Sequence, residues 1–382
     1  MRGLTLQVHD PLPAGGNWRE YLCEELTSYS HVIDLWGGFK SAQFTLRGNE
    51  QFVGDWLDVA LARHIEVYSP GGSVVWDGFV DKVDGNTGPL SVTAGPVGEV
   101  GNRIAGTYVP MDTTLATPIY GITTPLTALN DTDSQALYGI LYKIVNFGKT
   151  TAARAPDMQQ KHLESSAWPK VSKDWSSDRA SDSSVTVDLS GYFEYLAFPY
   201  EDLNTGTLGA STVITNVLAA TPNAWLVFDT VGVNVNALLI PRKEIQLREG
   251  TSVIKDAVSV GSGPADYLPW SFGIYEGMTA VYRQVPTDLE DLFYIQRITE
   301  GVMQIETVWG AKVDPWDVRP GRWLLYADYQ TGRSPIADLR RDTRTQFIDK
   351  VTFKAPLTLT LSGDVIATIE QVLAAAGLAG KV

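Results

Sequence analysis

The chain has 382 residues, 44 % of them hydrophobic and 10 % aromatic, a length and composition for two or three domains with substantial cores. Its 30 basic and 44 acidic side chains give a formal charge of −14, which argues against a protein that grips nucleic acid by neutralising phosphates. Cys23 is the only cysteine, so an intrachain disulfide and a cysteine-based zinc cluster are excluded; a buried thiol is the expectation.

From the N-terminus, MRGLTLQVHDPLPAGG carries one Arg and no apolar core, unlike a secretory signal, and no run of about 18 apolar residues offers a membrane-spanning helix. Folding in a cytoplasm is therefore expected. Gly3 to Val8 alternates as a strand, Asn17 to Thr27 spaces Tyr21, Leu22 and Leu26 as a short helix, and Ser41 to Leu46 reads as a strand. Gly54 to Ala62 reads as a short helix or turn. Leu61 to Asp84 then alternates on both sides of Ser69-Pro70-Gly71-Gly72, the pattern of a half-buried antiparallel hairpin. The alternation sets Val75, Asp77, Phe79, Asp81 and Val83 on one face, and Val74, Trp76, Val80 and Lys82 on the other. Ser91 to Ala94 is a further short strand, and Val97 to Ile104 starts a turn or helix.

Residues 106–220 read as a mixed region. Thr113 to Asp133 is turn-rich, and Gln135 to Asn146 has helical spacing through Leu137, Ile140, Leu141, Ile144 and Val145. Ser165 to Ser184 holds eight serines and reads as an exposed loop that includes Trp168 and Trp175. Val185 to Leu189 alternates as a strand. Ser211 to Ala220 reads as a helix capped by Ser211 or Thr212. Residues 221–330 return to β: Ala224 to Phe228, Val231 to Ile240, Glu276 to Gln284, Leu292 to Ile298, Val302 to Trp309 and Arg322 to Tyr329 are strand candidates, with a helix over Ser252 to Val260. The Ala280–Ile298 pair echoes the Ile65–Val83 hairpin. In residues 331–382, Ala337 to Gln346 is polar and arginine-bearing, and Val351 to Leu361 alternates. Asp364 to Ala376 is an amphipathic helix with Val365, Ile369, Val372 and Leu373 on its apolar side. The fold class is mainly β with some α (α+β).

No catalytic constellation emerges. The histidines His9, His31, His64 and His162 make no HExxH pair, so a histidine-rich metal centre is not expected, and His64 reads as a structural residue within a strand. Asp131-Thr132-Asp133 opens like a calcium loop but lacks the glycine at its sixth position; a helix cap or Asx turn explains it better. Gly261-Ser262-Gly263-Pro264 lacks both a Walker lysine and the spacing of a nucleophile elbow. The acidic cluster Glu276, Asp288, Glu290 and Asp291 does not single out a glycosidase pair. No enzyme activity, cofactor or metal is expected.

Ile65-Glu66-Val67, the Pro70-Gly71-Gly72 turn and Val75-Trp76-Asp77-Gly78-Phe79-Val80-Asp81 resemble the first tube-like domain of tail-hub and baseplate-hub proteins of tailed bacteriophages. Gly95-Pro96-Val97 to Arg103-Ile104 resembles the segment that closes that domain. Val318-Arg319-Pro320-Gly321 with the strand after it resembles the Arg-Pro-Gly turn of the second. The resemblance covers about half of the chain. It implies a homotrimer with two tube-like antiparallel β-barrel domains per subunit (residues 1–105 and 221–330), a mixed insertion (106–220) and a C-terminal extension (331–382). Such a pseudo-hexameric ring joins the tail tube or distal tail protein to the spike or tip protein, meets the tape-measure protein, and lets genomic DNA pass without specific binding.

Residues 1–110 carry 7 basic and 13 acidic groups and residues 201–310 carry 6 and 13, so both implied tube domains are acidic, as a channel that repels phosphates requires. Trp76, Phe79 and the terminal-helix residues Val365, Ile369, Val372 and Leu373 are the interaction candidates. The other reading is a receptor- or carbohydrate-binding tail protein in which Trp168 and Trp175 stack on sugar faces; a tail-associated hydrolase has the least support.

Overall fold

The computed structural model describes residues 4–14, 18–21, 26–112, 119–176, 182–201, 206–240, 247–261, 270–284, 292–299, 302–307, 312–313, 318–320, 322–326, 345–348 and 350–354. The chain is mainly β with a few helices, and its dominant sheet curls into a half-barrel. The first part contributes β1 (Thr5–Pro11), β2 (Trp18–Tyr21), β3 (Leu26–Asp34), β4 (Trp36–Arg47), α1 (Glu50–Val59), β5 (Arg63–Tyr68), β6 (Val74–Thr87) and β7 (Leu90–Ala94). The helix read over Asn17 to Thr27 is not formed: β2 and the start of β3 occupy that stretch, because pairing with β1 and β4 overrides a weak helical spacing. The helix expected near Gly54 is α1, whose N-cap Asn49 accepts the Phe52 N–H at 2.9 Å.

The expected hairpin is β5–β6, antiparallel with Glu66 opposite Asp77 and Val67 opposite Trp76. Its turn closes through Gly72 N–H to the Ser69 carbonyl at 2.9 Å, with Gly72 at φ +85°. The hairpin is not half-buried. Every residue from Val74 to Val80 is buried, because sheet, helices and loops cover both faces. The simple face assignment fails as well. A register break opposite Val67 and Tyr68, and another where β14 skips Asp81, change which side chains share a face. Trp76 and Val80 lie in one core and Phe79 in another, as the alternation has it, but Val75 and Val83 join Trp76 and Val80 instead of Phe79.

The middle of the chain forms β8 (Arg103–Asp112), the short β9 (Ile119–Tyr120), β10 (Thr124–Pro125) and β11 (Leu129–Asn130), α2 (Thr132–Tyr138), β12 (Tyr142–Thr150), α3 (Arg154–Ser166), β13 (Val171–Trp175), β14 (Ser183–Ser190), β15 (Pro199–Glu201) and α4 (Ala210–Ala219). Val97–Glu99 is a single 3-10 turn before β8. The helix expected from Gln135 to Asn146 stops at Tyr138. Gly139 turns the chain at φ +73°, and the Ile140 and Leu141 N–H groups donate to the side chains of Asn223 (2.6 Å) and Asn102 (2.8 Å). Residues 142–150 then run parallel to β8. Asp131 caps α2 by accepting the Ser134 N–H at 3.0 Å, in agreement with the cap reading. The serine-rich stretch holds regular structure among its described residues: Ser165 and Ser166 close α3, and Val171–Trp175 pairs antiparallel with β7. The N-cap of α4 is Gly209 rather than Ser211 or Thr212; the Ser211 hydroxyl donates to the Asn236 carbonyl at 3.1 Å instead.

The last part supplies β16 (Asp229–Val233), β17 (Leu247–Glu249), α5 (Gly250–Gly261), β18 (Trp270–Tyr275), β19 (Thr279–Gln284), β20 (Leu292–Thr299), β21 (Val302–Thr307), β22 (Lys312–Val313), β23 (Arg322–Tyr326), β24 (Thr345–Ile348) and β25 (Lys350–Lys354). Ala224 to Phe228 forms no strand, and Val231 to Ile240 contributes only the end of β16 and an isolated bridge at Leu239. The Ala280–Ile298 pair does not form a hairpin: β19 pairs with β18 and β16, whereas β20 belongs to a separate five-stranded sheet ordered β22-β21-β20-β23-β24. The echo was one of composition. The terminal helix read over Asp364 to Ala376 lies outside the described residues, as do Cys23, Gly321 and most of Ala337 to Gln346.

The main sheet runs β16-β19-β18-β4-β14-β6-β5-β1-β2, with β3, β25, β7 and β13 branching from it. One core lies inside its curl, where α1 places Val53 and Trp56 against Phe44, Trp76, Val83 and Val187. The second lies on the other face and is closed by α4 and α5, with Val213, Ile214, Val217 and Ile254 packed near Phe79, Tyr192, Phe272 and Tyr282. Early and late strands join where β25 pairs with β3 and in the parallel contact of β18 with Trp36–Gly38. Gly38 has φ +78°, and a Cβ there would overlap the Ile274 backbone.

Gly38→Ala is therefore expected to lower the unfolding free energy by at least about 2 kcal/mol, from the left-handed backbone and the overlap together. In Gly54, inside α1, a Cβ would meet nothing within 4 Å. Gly54→Ala should raise stability by about 0.5–1 kcal/mol. Urea denaturation of both variants checks the contrast.

Candidate functional site

Strand alternation places His64, Glu66 and Tyr68 on one face of β5, the face opposite Ile65 and Val67 in the inner core. β1 lies beside it in antiparallel register, Gln7 opposite Glu66, until the register shifts between Val8 and Pro11. His9, within that irregular stretch, brings its ring centroid to 4.8 Å from that of His64. Both imidazoles turn toward one carboxylate: His9 Nε2 is 3.4 Å from Glu66 Oε2, and His64 Nε2 is 3.3 Å from Glu66 Oε1. Tyr68 donates its hydroxyl proton to Oε2 at 2.8 Å.

The other side of His64 is anchored as firmly. Its Nδ1 is 2.6 Å from the Tyr192 hydroxyl and 3.1 Å from the Gly78 carbonyl. Tyr192 is buried and stands in an aromatic wall with Phe79 and Tyr195. The bond from His64 is the main reason that the Glu66 carboxyl is held down to about 2, and it outweighs the opposing effect of burial. Burial, then the neighbouring His64, lowers His9 below the usual imidazole value. Burial, reinforced by the bond to Glu66, pushes the Tyr68 phenol up to about 12.

Asp77, across from Glu66 on β6, is 2 % exposed and accepts the Gly277 N–H at 2.8 Å, tying β6 to the turn between β18 and β19. Burial pushes its carboxyl up to about 7. The site thus combines an ionised carboxylate, a carboxyl that resists ionisation, two imidazoles and two phenols. Of these, His9, His64 and Glu66 converge closely enough to hold a cation.

The residues singled out from sequence are dispersed. Trp76 is fully buried in the inner core, and Phe79 is 2 % exposed in the outer one. Trp168 is half-exposed; its indole N–H donates to Asp131 Oδ2 at 3.2 Å, and it meets Tyr138 edge-on. It also rims a cleft with Glu99, Lys143, His162 and Lys170. Trp175 is 71 % exposed on β13. Val365, Ile369, Val372 and Leu373 lie outside the described residues. The histidine–glutamate cluster was missed because its members come from two strands, 55 residues apart; an i, i+2 His-Glu pair on an alternating strand was its one local signal.

No protein-family model matches the chain, and no curated protein matches it. Among solved structures, the chain is similar to the tail protein from Neisseria meningitidis MC58, with a TM-score of 0.44 and 9 % identity over 96 % of this chain and 98 % of that one. It is also similar to the 43 kDa tail protein of prophage MuSo2 from Shewanella oneidensis, with a TM-score of 0.38 and 7 % identity over 92 % of each chain. With both scores below 0.5, the functional reading rests on the residues themselves. No helix among the described residues is long and apolar enough to cross a membrane.

Asp77 generates a pH prediction. Its folded value lies above that of an unfolded carboxyl, so the native chain binds this proton more tightly, and its contribution to stability falls as pH rises from about 4 to 7. Asp77→Asn keeps an acceptor for Gly277 and removes the titration. Urea denaturation at pH 5 and pH 7 should therefore show a smaller loss of stability in the variant than in the native chain. Parallel losses in the two proteins would assign the pH dependence to other groups.

Proposed function

We propose that the chain is a non-enzymatic structural subunit of a phage tail, a hub that assembles as a trimeric ring between the tail tube and the spike or tip. The observation that carries this reading is the open, curled sheet with an apolar end. Strand β16 closes one end of the sheet order. Around it Val227, Val231 and Val235 are 74 %, 81 % and 86 % exposed, with Leu238 and Leu239 also exposed. Soluble proteins guard such edges with charge or cover, since an unpaired apolar strand recruits another chain. A neighbouring subunit supplies that cover in a ring.

Two further features support it. The Val75–Asp81 segment that resembles hub proteins lies in β6, near the middle of the main sheet. Val318-Arg319-Pro320, the other resembling segment, sits against the same region: the Arg319 guanidinium lies over the Phe39 ring at 5.6 Å and donates to the Val74 carbonyl at 3.3 Å. In this reading residues 1–105 and 221–330 supply the two tube-like units, which meet where β18 pairs with β4. The parts of residues 106–220 outside β13 and β14 decorate the ring, the segment after β25 reaches the tip partner, and the acidic surface lets DNA slide past.

Light scattering should give a mass near three times the 41.7 kDa chain, and negative-stain images should show rings. Val231→Asp combined with Val235→Asp should yield a folded, smaller species. A native chain that stays monomeric, alone and with its tail partners, would count against the hub.

The carbohydrate-binding reading retains one specific observation, the half-exposed Trp168 beside the polar groups of its cleft. If it holds, Trp168→Ala abolishes binding to host-cell glycans while the oligomer persists; a native chain that binds none rejects it.

A further inference from the structure

We propose that His9, His64 and Glu66 form a three-ligand site for a divalent first-row transition-metal ion, of which zinc is the natural probe. Tetrahedral zinc bonds of about 2.0–2.1 Å place neighbouring ligand atoms about 3.3 Å apart. The two imidazole–carboxylate separations are 3.4 Å and 3.3 Å, and all three ligand atoms lie within 4.8 Å of one another. These separations are long for charge-assisted hydrogen bonds, which run at about 2.7–2.9 Å. The two contacts go to different carboxylate oxygens, so Glu66 bridges the imidazoles across one small space, and a bound ion would draw the three ligand atoms inward.

Hydrogen-bond accounting points the same way. His64 faces an acceptor at each ring nitrogen, the Gly78 carbonyl at Nδ1 and the Glu66 carboxylate at Nε2. A neutral ring carries one N–H and meets only one of them as a donor. His9 directs a second Nε2 at the same carboxylate. With protons alone, a neutral His9 can donate Nε2–H to Glu66, but His64 donates to both Glu66 and Gly78 only as an imidazolium, at a centroid distance of 4.8 Å from the His9 ring. A divalent cation among the three ligands takes the place of the two Nε2 protons and leaves His64 neutral, donating Nδ1–H toward Gly78.

The surroundings resemble those of built metal sites, where outer groups fix the tautomer and orientation of each ligand. Gly78 and Tyr192 hold His64, and the Tyr68 hydroxyl holds Glu66. His9, Glu66 and His64 keep 12 %, 20 % and 7 % of their side-chain exposure, so an ion can enter from solvent and keep a water as its fourth ligand. Two imidazoles and one carboxylate favour zinc or iron(II) over calcium or magnesium, which prefer all-oxygen sets. The ion would fasten β1 to β5 near one end of the main sheet.

The full chain, stripped with EDTA and returned to buffer, should bind one Co2+ per chain with the visible bands of a low-coordinate site, and Zn2+ should displace it. Zn2+ should raise Tm, whereas Mg2+ and Ca2+ should not. His9→Gln and Glu66→Gln, both at partly exposed positions, should weaken Zn2+ binding at least about 10-fold. His162→Gln, on α3, should leave it unchanged. Tyr68→Phe should produce a smaller loss than either ligand variant. Absence of Co2+ bands from the folded native chain, or equal Zn2+ affinity in the native chain and both ligand variants, would overturn the site. The native Co2+ spectrum is decisive even if a variant misfolds.

Discussion

The architecture depends on the backbone approach at Gly37 and Gly38. Strand β4 is shared three ways: β3 and β14 pair along most of its length, and β18 joins in parallel at its first residues. A side chain at Gly38 would occupy the position of the Ile274 backbone. Gly191 plays a matching part on the other side, since a Cβ there would overlap the Phe39 carbonyl. Where backbone meets backbone without intervening side chains, early and late strands become one sheet instead of two packed layers. The outer core, with Phe272 and Ile274 beside Phe79 and Tyr192, exists only because that junction brings β18 into line.

The polar cluster follows from the same continuity. β6 is covered on both faces, so the side of the β5–β6 hairpin that a free-standing hairpin would give to water is partly enclosed. The enclosure makes Asp77 reluctant to ionise and concentrates His9, His64 and Glu66 in a half-dry pocket beside the aromatic wall. In water these groups would be an unremarkable polar face. The late strands and the Tyr192 segment turn them into interacting partners, with His64 held between the Tyr192 hydroxyl and the Glu66 carboxylate.

What was legible in sequence was whatever a short window encodes. The β5–β6 hairpin, α4, α5, β14 and the Asp131 cap announce themselves through period, turn chemistry and capping. The misses have a common cause in long-range partners. Gln135 to Asn146 has helical spacing, but Gly139 and the side-chain amides of Asn102 and Asn223 end the helix at Tyr138, and β8 recruits residues 142–150 as a strand. Trp175 stands in a strand only because β7 is beside it. The faces of β6 invert at Asp81, whose carboxylate accepts the Gly98 N–H at 2.7 Å, and no alternation rule foresees a bulge. The candidate metal cluster was hidden for the same reason: its spacing is spatial, set by the β1–β5 register.

Strand β25 has a consequence for how the chain comes into being. Residues 350–354 pair with β3, and Val351 and Phe353 enter the inner core beside Tyr29 and Ile33, with the Phe353 ring stacked on His31 at 5.3 Å. A polypeptide emerging from the ribosome holds a gap in its first core until some 320 further residues have been made. Throughout that interval the side of β3 destined for β25 stays open, and until Trp270–Tyr275 is made so does the stretch of β4 destined for β18; contacts of such large sequence separation close slowly. The nascent chain therefore passes through a long period with apolar strand edges on display, when a chaperone or premature pairing with a sister chain competes with its own C-terminal strands.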